Sequence, residues 1–184
     1  MSVKAGGETA DSRPGVENLE LKAELRDPDL AEGLLVRAGA LRVARVAQSD
    51  THYRVGDGRL IRRRTQDEPV EWIRYHRPVS APIRPSRFTI YTDEEARVRF
   101  GVRPLPVWMI VNKRRAMWVH DALRVHLDEV VGLGRFIEIE ALVTAKRPAD
   151  VCRSAIGALR DRLAPALGEV LAGGYADLAA REAA

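Results

Sequence analysis

The sequence predicts an α+β fold: eight or so antiparallel strands, closed as a barrel or stacked as a sandwich, with a few helices packed outside. Three observations predict it. Short segments alternate apolar and polar residues with period two, as half-buried strands do. Turn signals rich in Gly, Asp and Pro separate these segments at short intervals. Only three or four stretches carry helical spacing. With 184 residues, 46% of them hydrophobic, the chain is long enough to bury one sizeable core.

Residues 1–15 are Gly, Ser, Thr and Ala with scattered charge, and they predict a disordered tail before a single domain over 16–184. Leu19, Leu21, Ala23 and Leu25 alternate with Glu20, Lys22, Glu24 and Arg26, giving a first strand. Asp27 and Pro28 then open a helix with Leu30, Leu34, Leu35 and Ala38 on one face, ending at Gly39. Strands Thr51 to Val55 and Arg59 to Thr65 flank Gly56-Asp57-Gly58, a hairpin signal. Strands are also expected at Val70 to Arg77 and Phe88 to Tyr91, then a helix at Asp93 to Phe100 with Thr92 as N-cap. Val107 to Lys113, Met117 to His120, Leu123 to Val130 and Phe136 to Ala145 read as further strands. Pro148 opens a helix to about Leu163, with Val151, Ala155, Ile156, Leu159 and Leu163 on its apolar face, and a weaker helix lies near Tyr175 to Ala183.

A net charge of +4 favours polyanionic partners. The single cysteine, Cys152, forms no internal disulfide and reads as a packing residue. There is no apolar run of membrane-spanning length, so no membrane partner and a cytoplasmic location are expected.

The chemistry lies in which residues share a strand face, since neighbours two apart point the same way. Glu20 pairs in this sense with Lys22, Lys113 with Arg115, Arg124 with His126 and Asp128, Glu138 with Glu140, and Arg59 with Arg63. Arg77 shares a face with Tyr75 and Ile73. The opposite faces are apolar and need cover, which the helices after Leu25 and Pro148 can give. In a barrel covered on the outside, the charges point inward. Buried charges require pairing or a counter-ion, and a polyanion together with a divalent metal satisfies both signs. The alternative is an ordinary sheet with one wet face. Against it, these faces carry Glu, Arg and Lys almost exclusively.

Several segments resemble the CYTH superfamily, the triphosphate tunnel metalloenzymes. They are Asn18-Leu19-Glu20-Leu21-Lys22-Ala23, Gln48-Ser49-Asp50-Thr51-His52-Tyr53, Gly58-Arg59-Leu60-Ile61-Arg62-Arg63, and Val111-Asn112-Lys113-Arg114-Arg115. The stretch Arg124-Val125-His126-Leu127-Asp128-Glu129-Val130, with Gly132-Leu133-Gly134-Arg135-Phe136-Ile137-Glu138-Ile139-Glu140, is the most recognisable, and Tyr175-Ala176-Asp177-Leu178 closes the series. The resemblance runs from Asn18 to Leu178 in the family's order and is nearest to bacterial class IV cyclase-like proteins. It implies an eight-stranded antiparallel tunnel with the charged faces inside and the helices outside.

The resemblance further implies that Glu20, Glu138 and Glu140 ligate metal and serve catalysis, with Asp128 ligating directly or through water. Lys22, Arg63, Arg77, Lys113, Arg115 and Arg124 would hold triphosphate oxygens. Carboxylate ligands suit Mg²⁺ or Mn²⁺. The implied activity is hydrolysis of a phosphoanhydride in an inorganic or organic triphosphate. The alternatives are class IV adenylyl cyclase chemistry, converting ATP to cyclic AMP and diphosphate, and a non-catalytic polyphosphate or nucleic-acid binding protein. The mixed signs on each face argue against nucleic acid as partner, and the family resemblance allows a homodimer. Two departures from the signatures stand out. Asn18 replaces a Glu, and Ile61 replaces a Lys, where a bulge could bring Arg62 or Arg64 inward. His126 reads as a hydrogen-bonding lumen residue, with an acid/base or ligand role as the alternative. Trp72, Trp108 and Trp118 read as core or rim aromatics in preference to base-stacking platforms.

Overall fold

The structure is a computed structural model and describes residues 16–56, 58–76 and 82–183. The tail expected over 1–15 and the strand end at Arg77 lie outside the described residues. In chain order the elements are β1 (Val16–Leu25), α1 (Pro28–Arg37), β2 (Leu41–Tyr53), β3 (Arg59–Thr65), β4 (Glu71–His76), β5 (Ile83–Tyr91), α2 (Asp93–Phe100), β6 (Val107–His120), β7 (Leu123–Val130), β8 (Gly134–Leu142), α3 (Ala149–Leu163), β9 (Leu167–Val170) and α4 (Tyr175–Glu182). A 3₁₀ turn, Ala164–Ala166, joins α3 to β9.

The strands run β5-β4-β3-β2-β6-β7-β8-β1, and β5 pairs back onto β1, so eight antiparallel strands close into a barrel. β9 pairs with the far end of β1, outside the closed ring. Closure leaves no unpaired edge among the eight.

The period-two alternation divides the strands into two environments. Leu19, Leu21, Ala23 and Leu25 of β1, Leu123, Val125 and Leu127 of β7, and Ile137, Ile139 and Ala141 of β8 face outward. They pack with Ala31 and Leu35 of α1 and with Cys152, Ile156, Leu159 and Leu163 of α3. The main core therefore lies between the barrel wall and these two helices. A smaller cluster of Val111, Val130, Phe136, Tyr175 and Ala176 packs α4 against one end of the barrel.

Local sequence explains the element ends. Asp27 caps α1 by accepting from the Leu30 amide at 3.0 Å. Thr92 and Glu95 form a reciprocal capping box on α2. The β7–β8 hairpin turns through Gly132 (φ 77°) and Gly134 (φ 111°), left-handed conformations that a side chain would strain. That turn fixes the register of β7 against β8.

Several boundaries differ from the sequence expectation. β2 begins at Leu41, ten residues earlier than expected, because both faces of its first half are largely exposed and carry no apolar alternation. β6 is one unbroken strand through Lys113-Arg114-Arg115, where a break was expected, because its charged residues alternate inward. β5 starts at Ile83, ahead of the expected Phe88, and β8 spans Gly134–Leu142. The buried faces of the helices are also rotated: α3 buries Cys152 and leaves Val151 and Ala155 exposed, and α1 buries Ala31 while Leu30 stays exposed.

Ile156 is fully buried between α3 and the barrel wall. Ile156→Ala is expected to lower unfolding stability by about 3 kcal/mol, read as a lower denaturant midpoint at unchanged slope; a change under about 0.5 kcal/mol would contradict this placement of the core.

Candidate active site

The inward faces enclose a cavity of about 390 Å³, within the range of small-molecule sites. Among the described residues its lining includes five cations, Lys22, Arg63, Lys113, Arg115 and Arg124, and six carboxylates, Glu20, Asp50, Glu68, Glu71, Glu138 and Glu140. Gly174 and Tyr175, at the start of α4, close one part of the wall.

The charges are matched by strand register. Lys22 lies opposite Glu138 across β1 and β8, with Nζ 3.1 Å from Oε1. Arg124 lies opposite Glu140 across β7 and β8, at 2.8 Å. Arg115 lies opposite Asp128 across β6 and β7 and donates to both carboxylate oxygens at 2.7 Å. Arg115 also donates to Glu138 Oε2 at 2.8 Å. Arg63 lies opposite Asp50 across β2 and β3 and donates to both of its oxygens at 2.8 Å. Lys113, on β6, donates to the same Asp50 at 2.5 Å.

Burial alone would raise the buried carboxyls, but their cationic partners outweigh it. Lys113 and Arg63 hold Asp50 far below the usual carboxylate range. Arg115 holds Asp128 at about 2. Lys22, then His126 and Arg115, hold Glu138 well below its ordinary value. On the basic side, burial pulls Lys113 down to about 8 against the pull of Asp50. Burial likewise lowers His52 to about 4, so it is a neutral imidazole near neutrality.

The structure brings Lys22, Arg63, Lys113, Arg115, Arg124, Glu20, Glu138 and Glu140 to one cavity. Asp128 sits behind Arg115, with Oδ2 also accepting from the Tyr175 hydroxyl at 2.6 Å. Both of its oxygens are thus engaged, and it orients the guanidinium rather than facing the cavity. Burial, then the nearby Asp128 and Glu138, push Tyr175 well above its ordinary pKa, which keeps it a donor. Arg77 lies outside the described residues. β3 pairs with β2 in unbroken register, so Arg63 points inward without a bulge and the Arg62-Arg63-Arg64 run is split between faces.

Sequence reasoning assigned no role to Asp50, Tyr175 or Arg84. Asp50 was visible within a quoted motif, two residues from Gln48 on the inward face. Arg84 left no signal, because it stands in a segment not read as a strand. It is 1% exposed, lies opposite Glu20 and donates to Glu20 Oε1 at 3.2 Å. Its other nitrogens donate to the carbonyls of Leu171, Ala172 and Gly173, tying the segment before α4 to the barrel.

A compact ligand set also stands in the lining. One donor atom each from His126, Glu138 and Glu140 lies within 4.8 Å of the others. Asn18 Oδ1 and His126 Nδ1 are buried and find no hydrogen-bond partner among the described residues. Two carboxylates with orphaned oxygen and nitrogen donors beside them fit a divalent cation.

Because the folded pKa of Asp128 is depressed, its stabilisation is complete above the unfolded value near 4 and is lost as pH falls through about 2. Acid titration should therefore remove on the order of 2 kcal/mol over this window. Asp128→Asn should flatten that part of the stability profile measured by denaturation at pH 2 to 5; an unchanged profile would contradict the pairing.

Among solved structures, the chain is similar to a conserved hypothetical protein from Pyrococcus furiosus (16% identity, TM-score 0.70, covering 88% of this chain and 99% of that one). It is also similar to a candidate adenylate cyclase from Vibrio parahaemolyticus (16%, TM-score 0.70, 91% and 99%). A third is a candidate adenylyl cyclase from Hippeastrum, described as having a dominant triphosphatase activity (14%, TM-score 0.60, 90% and 95%). At these identities the likeness is one of fold. No curated protein matches the sequence. The family model for the CYTH domain matches residues 17–155, most of the chain, and with the closed charged barrel this places the protein in the CYTH domain family.

Proposed function

We propose that this protein binds a triphosphate inside the barrel and hydrolyses its terminal phosphoanhydride with the help of a divalent metal, Mg²⁺ or Mn²⁺. The observation that carries the reading is the arrangement of charge around one cavity. Arg63, Lys113 and Arg115 project from the β3–β2–β6 arc, and Glu20, Glu138 and Glu140 from the β8–β1 arc. Lys22 and Arg124 stand beside the acidic arc. The family membership and the likeness to the Vibrio candidate adenylate cyclase and the Hippeastrum triphosphatase support a triphosphate as substrate class.

Phosphoryl transfer asks mainly for positioning and neutralisation of charge. Lys113 and Arg63 are already aligned by Asp50, whose carboxylate occupies them as a phosphate oxygen would. An incoming triphosphate takes up the donor capacity these two groups keep beside Asp50, and because they are already held in place, little side-chain entropy is lost on binding. Arg115, fixed by Asp128, presents its remaining donor capacity to the same anion. Glu138 and Glu140, with Glu20 beside them, would hold the metal. When bound, that ion supplies Lewis-acid polarisation of phosphoryl oxygens. Water attacks the terminal phosphorus, the bridging P–O bond breaks toward the diphosphate, and a lining carboxylate takes the proton.

Hydrolysis is favoured over cyclisation because the tryptophans are committed elsewhere. Trp72 stacks on Tyr53 at 5.4 Å and donates to Asp93 at 2.9 Å. Trp108 carries the Arg59 guanidinium over its ring at 4.6 Å, and Trp118 is buried in the main core. None is left as a platform for adenine.

The test is product identification after incubation with inorganic triphosphate or ATP and Mg²⁺ or Mn²⁺. Phosphate release is the expected result; cyclic AMP with diphosphate would replace the hydrolytic reading with the cyclase. Glu138→Gln and Glu140→Gln are expected to reduce kcat by about 10²-fold or more with a native circular dichroism spectrum, and full activity in either would remove it from the site. Triphosphate affinity should fall above about pH 8, where Lys113 loses its proton. Lys113→Arg should abolish that fall in calorimetric titrations from pH 6.5 to 9.5, and a wild-type affinity flat across that range would count against Lys113 as a phosphate donor.

A further inference from the structure

His126 is the one lining imidazole aimed at the acidic arc. It lies on β7 directly opposite Glu138 of β8, is 5% exposed, and has Nδ1 without a hydrogen-bond partner among the described residues. Nδ1 stands 3.8 Å from Glu138 Oε2 and 3.9 Å from Glu140 Oε1. Both separations are too long for a hydrogen bond. Both oxygens' carboxylates already accept from guanidinium groups, Glu138 from Arg115 and Glu140 from Arg124, each at 2.8 Å.

The spacing suits a shared ion instead. Two ligand atoms can hold one ion only if they are no farther apart than twice a metal–ligand bond of about 2.1 Å, or roughly 4.2 Å. Nδ1 meets this limit toward both carboxylates. Asn18, 4% exposed, adds a neutral oxygen: its Nδ2 lies 3.3 Å from Glu140 Oε2, and its Oδ1 is partnerless among the described residues.

Resting on the metal-dependent reading above, we propose that His126 Nδ1 ligates the metal together with Glu138 and Glu140. The result is a mixed nitrogen–oxygen site that prefers first-row transition dications such as Mn²⁺ or Co²⁺ to Mg²⁺. Mg²⁺ demands hard oxygen ligands in near-ideal octahedral geometry. Imidazole nitrogen is a softer donor and gains affinity along the transition series. The set His126, Glu138 and Glu140, with Glu20 beside it, differs from an all-oxygen site by one imidazole nitrogen, and that donor carries the selectivity.

The experiment is electron spin-echo spectroscopy of Mn²⁺ bound to the full-length protein, with and without inorganic triphosphate. The expected result is a ¹⁴N modulation that changes when histidine is labelled with ¹⁵N and disappears in His126→Gln. In parallel, that variant should lose about tenfold in Mn²⁺ affinity relative to Mg²⁺ by calorimetry. Mn²⁺ binding without nitrogen modulation, or with modulation that persists in His126→Gln, would overturn the ligand assignment and leave the metal-dependent reading intact. Absence of Mn²⁺ binding under both conditions would overturn both. His52 lines the same cavity, so loss of the modulation in His52→Gln would also overturn the assignment, which keeps the test decisive even if His126→Gln folds poorly.

Discussion

The rest of the structure depends on keeping opposite charges face to face inside a closed barrel. A bare ion in a protein interior costs several kcal/mol, and this barrel encloses many. It tolerates them because the antiparallel register sets Lys22 against Glu138, Arg124 against Glu140, Arg115 against Asp128, Arg63 against Asp50, and Arg84 against Glu20. A slip of one residue in any of these ladders would turn the charged face outward and the apolar face inward. Register, hydrophobic burial and the charged lumen are therefore one constraint. The Gly132–Gly134 turn matters for this reason, since it sets the β7–β8 ladder that places Arg124 opposite Glu140 and His126 opposite Glu138.

The division of labour between the two faces of the wall follows. Stability comes mainly from the outer face, where the aliphatic side chains of β1, β7 and β8 meet α1 and α3. The inner face is free to carry chemistry because it is not the main core. Toward the end covered by α4, a separate apolar cluster of Val111, Val130 and Phe136 packs with Tyr175. Arg84 anchors the segment leading into α4 through three backbone carbonyls, and Tyr175 reaches back to Asp128. The C-terminal segment is thus part of the site's scaffold.

Within the lumen the ion pairs are of two kinds. Arg115 and Asp128 form a buried bidentate pair reinforced by Tyr175, a fixed element that holds the guanidinium in one orientation. Asp50 shared between Arg63 and Lys113 is an arrangement in which one carboxylate satisfies two cations, leaving donor capacity for an anion with more oxygens. On the acidic arc, Glu138 and Glu140 keep cationic partners, yet the imidazole and amide beside them have unpartnered atoms. Together with Gln48 Oε1 and His52 Nδ1 elsewhere in the lining, these atoms mark where the lumen's own pairing is incomplete among the described residues.

The sequence by itself determined the strand faces, and with them most of the cavity. Period-two alternation put Glu20 with Lys22, Lys113 with Arg115 and Glu138 with Glu140, because side-chain direction along a strand is a local property. The same logic read the helices at Pro28, Asp93 and Pro148. It failed in β2, whose exposed first half carries no apolar period, and between Lys113 and Arg115, where charge imitates a loop. Tertiary structure alone decided which charges meet. Asp50 with Lys113 is a contact over 63 positions and Arg84 with Glu20 over 64. Asp128 behind Arg115 and Tyr175, rather than in the cavity, likewise depends on how three distant segments pack. Periodicity gives a residue its face; only ring closure and register give it a partner.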